Sequence, residues 1–202
     1  MLCDDCIEII KQEPISRCYK CNKISKYNQV CVSCRTSSRL RRVWWLGDYE
    51  KVLKALVSKM KFGRKRSYAR IFGILLSSLL VYIPEDTIVV PVPTASSRVR
   101  RRGFDQSCLI ASTLANTKGL SYVEALTRTS QEDQIGKRRI DRFKQMQNSL
   151  TVKSKIDLTG KNILLVDDVL TSGATLEAAA GLLRSSGANH VDAVVVTRRL
   201  LQ

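Results

Sequence analysis

Residues 163–175 read Ile163-Leu164-Leu165-Val166-Asp167-Asp168-Val169-Leu170-Thr171-Ser172-Gly173-Ala174-Thr175, and this stretch decides the fold. Its first four residues are all apolar, the pattern of a short strand buried on both faces. Two adjacent carboxylates follow, then a turn rich in hydroxyls and glycine. Across residues 176–183 the apolar side chains recur at helical spacing. A strand that ends in acids and a turn that opens a helix is the arrangement of a ligand site at the carboxyl end of a parallel sheet. The N–H groups at a helix N-terminus lack intrahelical partners and lie at the positive end of the helix dipole, so phosphate is the expected occupant of the turn formed by Thr171, Ser172, Gly173, Ala174 and Thr175. Three of these residues add hydroxyl donors, and Gly173, without a Cβ, lets backbone approach the anion. Asp167 and Asp168 would repel a phosphate. As ionised acceptors they suit the two vicinal hydroxyls of a ribose. Together the features predict a ribose 5-phosphate. A polar helix cap beside solvated acids would account for Thr175 alone. A Walker A loop is excluded because no Gly-Lys-Ser/Thr is present, and a dinucleotide fingerprint because its three spaced glycines are missing.

At 202 residues the chain suits one ordinary domain plus a small appendage, and a hydrophobic content of 44% suffices for a packed core. The net charge of +16 predicts attraction to polyanions: phosphorylated metabolites, nucleic acid or a membrane surface. The start Met1-Leu2-Cys3-Asp4-Asp5 lacks the basic leader and apolar run of a signal peptide. The most apolar stretch, residues 71–83, falls short of the roughly 20 needed to span a bilayer. A cytoplasmic location without a membrane span is expected. No feature of the sequence defines an oligomer.

Six of the seven cysteines form three Cys-x-x-Cys pairs: Cys3/Cys6, Cys18/Cys21 and Cys31/Cys34. In a reducing compartment each pair can supply two thiolates to a tetrahedral zinc ion, and four thiolates close a structural site. Redox-active or disulfide-paired cysteines are the plainer alternative, but three pairs in so short and polar a segment favour metal. Cys18, Cys21, Cys31 and Cys34 make the most compact set. Cys3 and Cys6 are alternates, either as partner to one of those pairs or as half of a second site. Zinc binding would then drive the folding of this segment. The isolated Cys108 is expected to pack rather than react.

Residues 1–42 are therefore expected to form a cysteine-rich zinc ribbon and residues 43–202 an α/β domain. Within the latter, residues 44–49 read as a strand, 50–61 and 71–82 as helices, 87–92 as a central strand, 104–116 as a helix and 122–126 as a short strand. Residues 130–149, polar and without a clear period, read as a mobile loop with some helix. Strands 162–166 and 191–196 flank helix 175–186, which Gly187 closes, making a βαβ unit.

The stretch 163–175 resembles the phosphoribosyl-pyrophosphate motif of type I phosphoribosyltransferases. Val90-Pro91-Val92-Pro93, followed by Arg98, Arg101, Arg102, Gly103, Phe104 and Gln106, resembles the Val-Pro-Val-Pro…Arg-Gly-Phe-Asn-Gln signature of the ComF family. So do Arg128-Thr129, Gln134 and Arg142, with cysteine pairs in front. Asp105 stands where that family usually has Asn, Gln145 where Asn is usual and Leu150 where Phe is usual, and the first cysteine pair of longer members is absent.

The resemblance implies a type I phosphoribosyltransferase fold, a mainly parallel sheet flanked by helices, preceded by the ribbon. It implies phosphoribosyl pyrophosphate as ligand, with Mg²⁺ held largely by phosphate oxygens and water. The pyrophosphate would meet Arg98, Arg101, Arg102 and Gly103, in a loop over residues 94–103. Catalysis of pentosyl transfer would rest on Asp167, Asp168 and Arg102, under a lid formed by Arg128, Gln134, Arg138 and Arg142. It also implies a role in natural competence and DNA uptake, with single-stranded DNA and other competence proteins as partners. Trp44, Trp45 and Tyr49 are the candidates for stacking on bases. A transferase, a DNA-binding module without turnover and a nucleotide sensor all fit these residues.

Overall fold

A computed structural model of the chain describes residues 16–128, 150–154 and 156–199. Among these, the α-helices are α1 (Val32–Arg35), α2 (Lys51–Phe62), α3 (Arg66–Leu79), α4 (Ser96–Arg102), α5 (Gln106–Lys118) and α6 (Ala174–Ser185). A parallel sheet runs in the order β1-β7-β6-β2-β3, built from β1 (Val43–Asp48), β2 (Ile88–Pro91), β3 (Ser121–Tyr122), β6 (Asn162–Leu170) and β7 (His190–Arg198). A separate antiparallel pair joins β4 (Leu126–Arg128) to β5 (Leu150–Val152). No helix among the described residues is long and apolar enough to cross a membrane.

The sheet is covered on both faces, so side chains alternate between two cores. Leu164 and Val166 of β6 join Val194 and Val196 of β7 beneath α2, α3 and α5. Ile163 and Leu165, with Ala193 and Val195, face α6. Burial on both sides is why residues 163–166 hold no polar side chain.

Several sequence expectations are corrected. The strand begun at 162 continues through Leu170, so the two acids lie within it. The centre of the sheet is β6, and β2 stands one strand from the edge. Residues 94–103 hold helix α4, because nothing between Pro93 and Gly103 breaks a helix, and Gly103 closes it in the left-handed conformation (φ 81°). Helix α3 begins at Arg66, since its basic first turn is a solvated extension of the apolar face. The strand expected over 122–126 is divided. Ala125 donates back to Val123 at 2.9 Å, and this tight turn sends the chain from β3 into β4. The expectations for residues 130–149 and for Cys3 and Cys6 lie outside the described residues.

What positions the site is the parting of β2 from β6. Their register ends at Pro91 opposite Val166, and Val92 donates one further bond to the Val166 carbonyl at 2.9 Å. The next donor in phase, the Thr94 N–H, turns to the Asp105 carboxylate at 2.9 Å instead of continuing the ladder. From here the chain leaves β2 toward β3 on one side and leaves β6 toward β7 on the other. Such a switch point is where open α/β sheets leave a crevice for ligands.

Asp105 fixes the far wall of that crevice. Its carboxylate accepts from the N–H groups of Ser107 (2.9 Å) and Cys108 (3.3 Å), capping α5, and from the N–H (2.9 Å) and hydroxyl (3.0 Å) of Thr94. Asp105→Ala is expected to cost about 1–2 kcal/mol in urea unfolding, and Asp105→Asn less, because an acceptor oxygen remains.

Candidate functional site

The crevice holds a cavity of about 410 Å³. Asp167, Asp168 and Val169 form its floor, and Thr171 and Thr175 line it from the turn before and within α6. Lys61 enters from the end of α2, Arg98 and Arg102 from α4, Arg128 from β4 and Arg199 from just past β7. Five cations thus face two acids, a balance that favours an anion carrying several charges.

A chain of side chains fixes the floor. Asp168 is 6% exposed; its Oδ1 accepts from Lys61 Nζ at 2.8 Å and its Oδ2 from Gln106 Nε2 at 2.7 Å. Gln106 Oε1 in turn accepts from Arg102 Nη1 at 2.5 Å. Burying a carboxylate is tolerable only when it is paired and hydrogen-bonded, and here both conditions are met. Each oxygen keeps a second lone pair for an incoming hydroxyl. The Nε–H groups of Arg102 and Arg128 are buried without a protein acceptor among the described residues, an arrangement an anionic ligand would complete. Asp167 accepts from Ser107 Oγ (3.2 Å) and from the N–H of Asp168 (2.8 Å). Burial, and then the charge of Asp168, push its carboxyl up to about 7.

Not every expected residue meets the cavity. Arg101 projects from α4 into solvent, and Gly103 faces away with it. Ser172 and Ala174 are exposed at the rim, with the Ala174 N–H 3.4 Å from Ser172 Oγ. Gly173 lies beneath the ring of Tyr19 at φ 78°, where a Cβ would fall 2.9 Å from that ring. Arg128 lines the cavity, whereas Gln134, Arg138 and Arg142 lie outside the described residues. Trp44 and Trp45 are core residues and cannot stack on bases; Tyr49 lines the cavity. Lys61, Gln106 and Arg199 were absent from the expected site. Gln106 carried a signal, as a polar residue in the quoted signature on the inner face of a helix. Lys61 read as an ordinary helix end and Arg199 as a surface cation.

The four sulfurs of Cys18, Cys21, Cys31 and Cys34 lie within 4.8 Å of one another. A tetrahedral zinc with bonds of about 2.3 Å needs sulfur–sulfur edges of about 3.8 Å, so the set can close on the ion with small movements. Burial pushes the Cys18 thiol up, but N–H groups of Cys31, Cys21 and Lys20 aimed at its sulfur outweigh this and bring it down to about 7. Desolvation and then the neighbouring sulfurs push Cys34 up to about 12. Without a cation the four thiols cannot ionise together, and a divalent ion removes that conflict.

Two outcomes are expected. The zinc content of the full chain is about one ion for this four-thiolate set, and Cys31→Ser reduces it to near zero, as measured by metal analysis after gel filtration. The raised value of Asp167 means the fold favours its protonated form. That stabilisation is complete below about pH 4 and is lost as pH rises through about 7, at no more than about 1.4 kcal/mol per pH unit. Asp167→Asn should therefore gain melting temperature relative to wild type between pH 4 and 8. A constant difference across that range would show that Asp167 does not carry the proton.

Residues 120–200 match the family model of the phosphoribosyl transferase domain. The competence protein ComFC of Bacillus subtilis is 28% identical to this chain, over 92% of the chain and 79% of that protein. The DNA utilization protein YhgH of Salmonella typhi is 28% identical, over 98% of the chain and 91% of that protein. The crystal structure of a purine phosphoribosyltransferase from Pyrococcus horikoshii is 17% identical, covers 66% of this chain and 86% of its own, and superposes with a TM-score of 0.41. Along nearly its whole length the chain is thus similar to these competence and DNA-utilization proteins, with a cysteine cluster ahead of a segment that matches the phosphoribosyl transferase domain.

Proposed function

We propose that the chain binds phosphoribosyl pyrophosphate with Mg²⁺ at the switch point between β2 and β6, and that it acts there as a phosphoribosyltransferase serving DNA uptake in the cytoplasm. The observation that carries this is the lining of the cavity. Two acids and two threonine hydroxyls share it with five cations, and the Nε–H groups of Arg102 and Arg128 lack an acceptor among the described residues. The 5-phosphate takes the turn with Thr171 and Thr175, where free N–H groups favour it. The ribose hydroxyls donate to Asp167 and Asp168. The pyrophosphate then extends toward Arg98 and Arg102. Bound Mg²⁺ supplies charge neutralisation at the pyrophosphate oxygens.

Transfer of the ribosyl group leaves negative charge on departing pyrophosphate and positive charge on the sugar ring. Arg102, already oriented through Gln106, stabilises the first. In this reading the charge of Asp168, which Lys61 and Gln106 hold in place, offsets the second. The link to DNA uptake rests on the names of the relatives.

Phosphoribosyl pyrophosphate with Mg²⁺ should raise the melting temperature, with about 2.7 kcal/mol of added stability at a hundredfold excess over Kd. The double variant Asp167→Asn, Asp168→Asn should show no rise. An equal response from both proteins would remove the acids from the site. Release of pyrophosphate in the presence of a panel of nucleobases distinguishes turnover from binding alone.

A further inference from the structure

The cysteine segment is docked onto the turn that opens α6. Cys18 is fully buried, and the residue after it, Tyr19, lays its ring over Gly173. The Tyr19 hydroxyl donates to Oε1 of Glu177, in the first turn of α6, and lies 3.1 Å from Ser38 Oγ. Ser38 Oγ donates to the same oxygen at 2.7 Å, the Arg39 N–H donates to Glu177 Oε2 at 2.9 Å, and Lys20 Nζ lies 3.5 Å from Oε1. Every one of these partners of Glu177 comes from residues 18–39, the stretch that also holds the four clustered cysteines. A second tie comes from the same knuckle, where Asn22 Oδ1 accepts from Arg198 Nη1 at 2.8 Å at the end of β7.

We propose that Tyr19 is a positioning residue for the turn at 171–175, and that through it the metal-loaded cysteine cluster sets the turn's affinity for the phosphate of a ribose 5-phosphate group. The proposal rests on the reading of that turn as the phosphate site. Among the described residues ahead of β1 only Cys18, Val30 and Leu40 are buried apolar residues, too few to order that stretch without a cross-link. Closing four thiolates on one ion fixes the knuckle and with it the Tyr19 ring and hydroxyl. Releasing the ion frees Tyr19, strips Glu177 of donors and uncovers the left-handed glycine. The turn then samples more conformations, and re-ordering them on binding lowers affinity. The linkage runs both ways, so ligand in the turn tightens metal in the cluster.

Amide hydrogen exchange in peptides covering residues 170–178, and calorimetric binding of ribose 5-phosphate and of phosphoribosyl pyrophosphate with Mg²⁺, test this in the full chain. Wild type, zinc-stripped protein, Tyr19→Ala and Tyr19→Phe are compared, with zinc content measured in each. Stripping and Tyr19→Ala should both speed exchange at the turn and weaken ribose 5-phosphate binding roughly tenfold, the worth of a hydrogen bond to a charged group. Exchange in α5 should not change. Tyr19→Phe keeps the ring over Gly173 without the bond to Glu177, so its effect should be intermediate. Should Tyr19→Ala lose its zinc, Tyr19→Phe carries the comparison. Unchanged exchange at the turn in the variants and the stripped protein overturns the coupling. Faster exchange with unchanged affinity overturns the positioning role. A zinc-loaded wild type that binds neither ligand overturns the phosphate reading and the affinity claim, while exchange alone still decides whether cluster and turn are coupled.

Discussion

The bond from the Val92 N–H to the Val166 carbonyl is the last rung between β2 and β6, and the site exists because no rung follows it. A parallel ladder needs an N–H from each second residue, and the next in phase after Val92, that of Thr94, goes to the Asp105 carboxylate instead. The two strands part while β6 continues beside β7 alone, out to Leu170. Strand geometry then keeps Asp167 and Asp168 rigid, where a loop would leave them free. A single diverted donor thus opens the end of a hydrophobic sheet onto a polar floor. Thr94 and α4 form the opposite wall, and Asp105 holds Thr94 in place.

The second constraint is electrostatic. A carboxylate as deeply placed as that of Asp168 requires partners, and they arrive from two elements distant in sequence: Lys61 from α2 and Gln106 from α5. Gln106 is the hinge of this arrangement, since its amide donates to Asp168 and accepts from Arg102 at once. Acid and guanidinium are thereby fixed relative to each other without touching. The remaining cations have no such anchoring to the acids, and they give the cavity its positive excess.

Much of this was legible in the sequence where local chemistry is decisive. Four consecutive apolar residues followed by acids and a hydroxyl-rich turn admit few structures other than a central parallel strand and a helix start. The strand at 43–48 and the helices α2, α5 and α6 likewise follow from periodicity and glycine placement. The losses have physical causes. The extent of β6 past Val166 depends on β7, a neighbour that no local pattern reveals. Helix α4 reads as a charged loop because its residues face mainly solvent and carry no period. Lys61 joins the site only through the packing of α2 against the sheet. Tyr19 touches Gly173 across more than 150 positions, a contact that arises from the docking of one segment on another.

The order of assembly follows from where the pieces lie along the chain. Strand β6, helix α6 and strand β7 are contiguous, and their contacts close over short loops. Their acids and turn are therefore encoded together near the carboxyl end with Arg199, while the other four cations, the capping aspartate and the tyrosine cover lie upstream. A truncated product holding only β6, α6 and β7 would carry the carboxylate pair without Lys61 and Gln106, the two side chains that hold Asp168. Maturation of the pocket thus draws together segments that run from Tyr19 to Arg199.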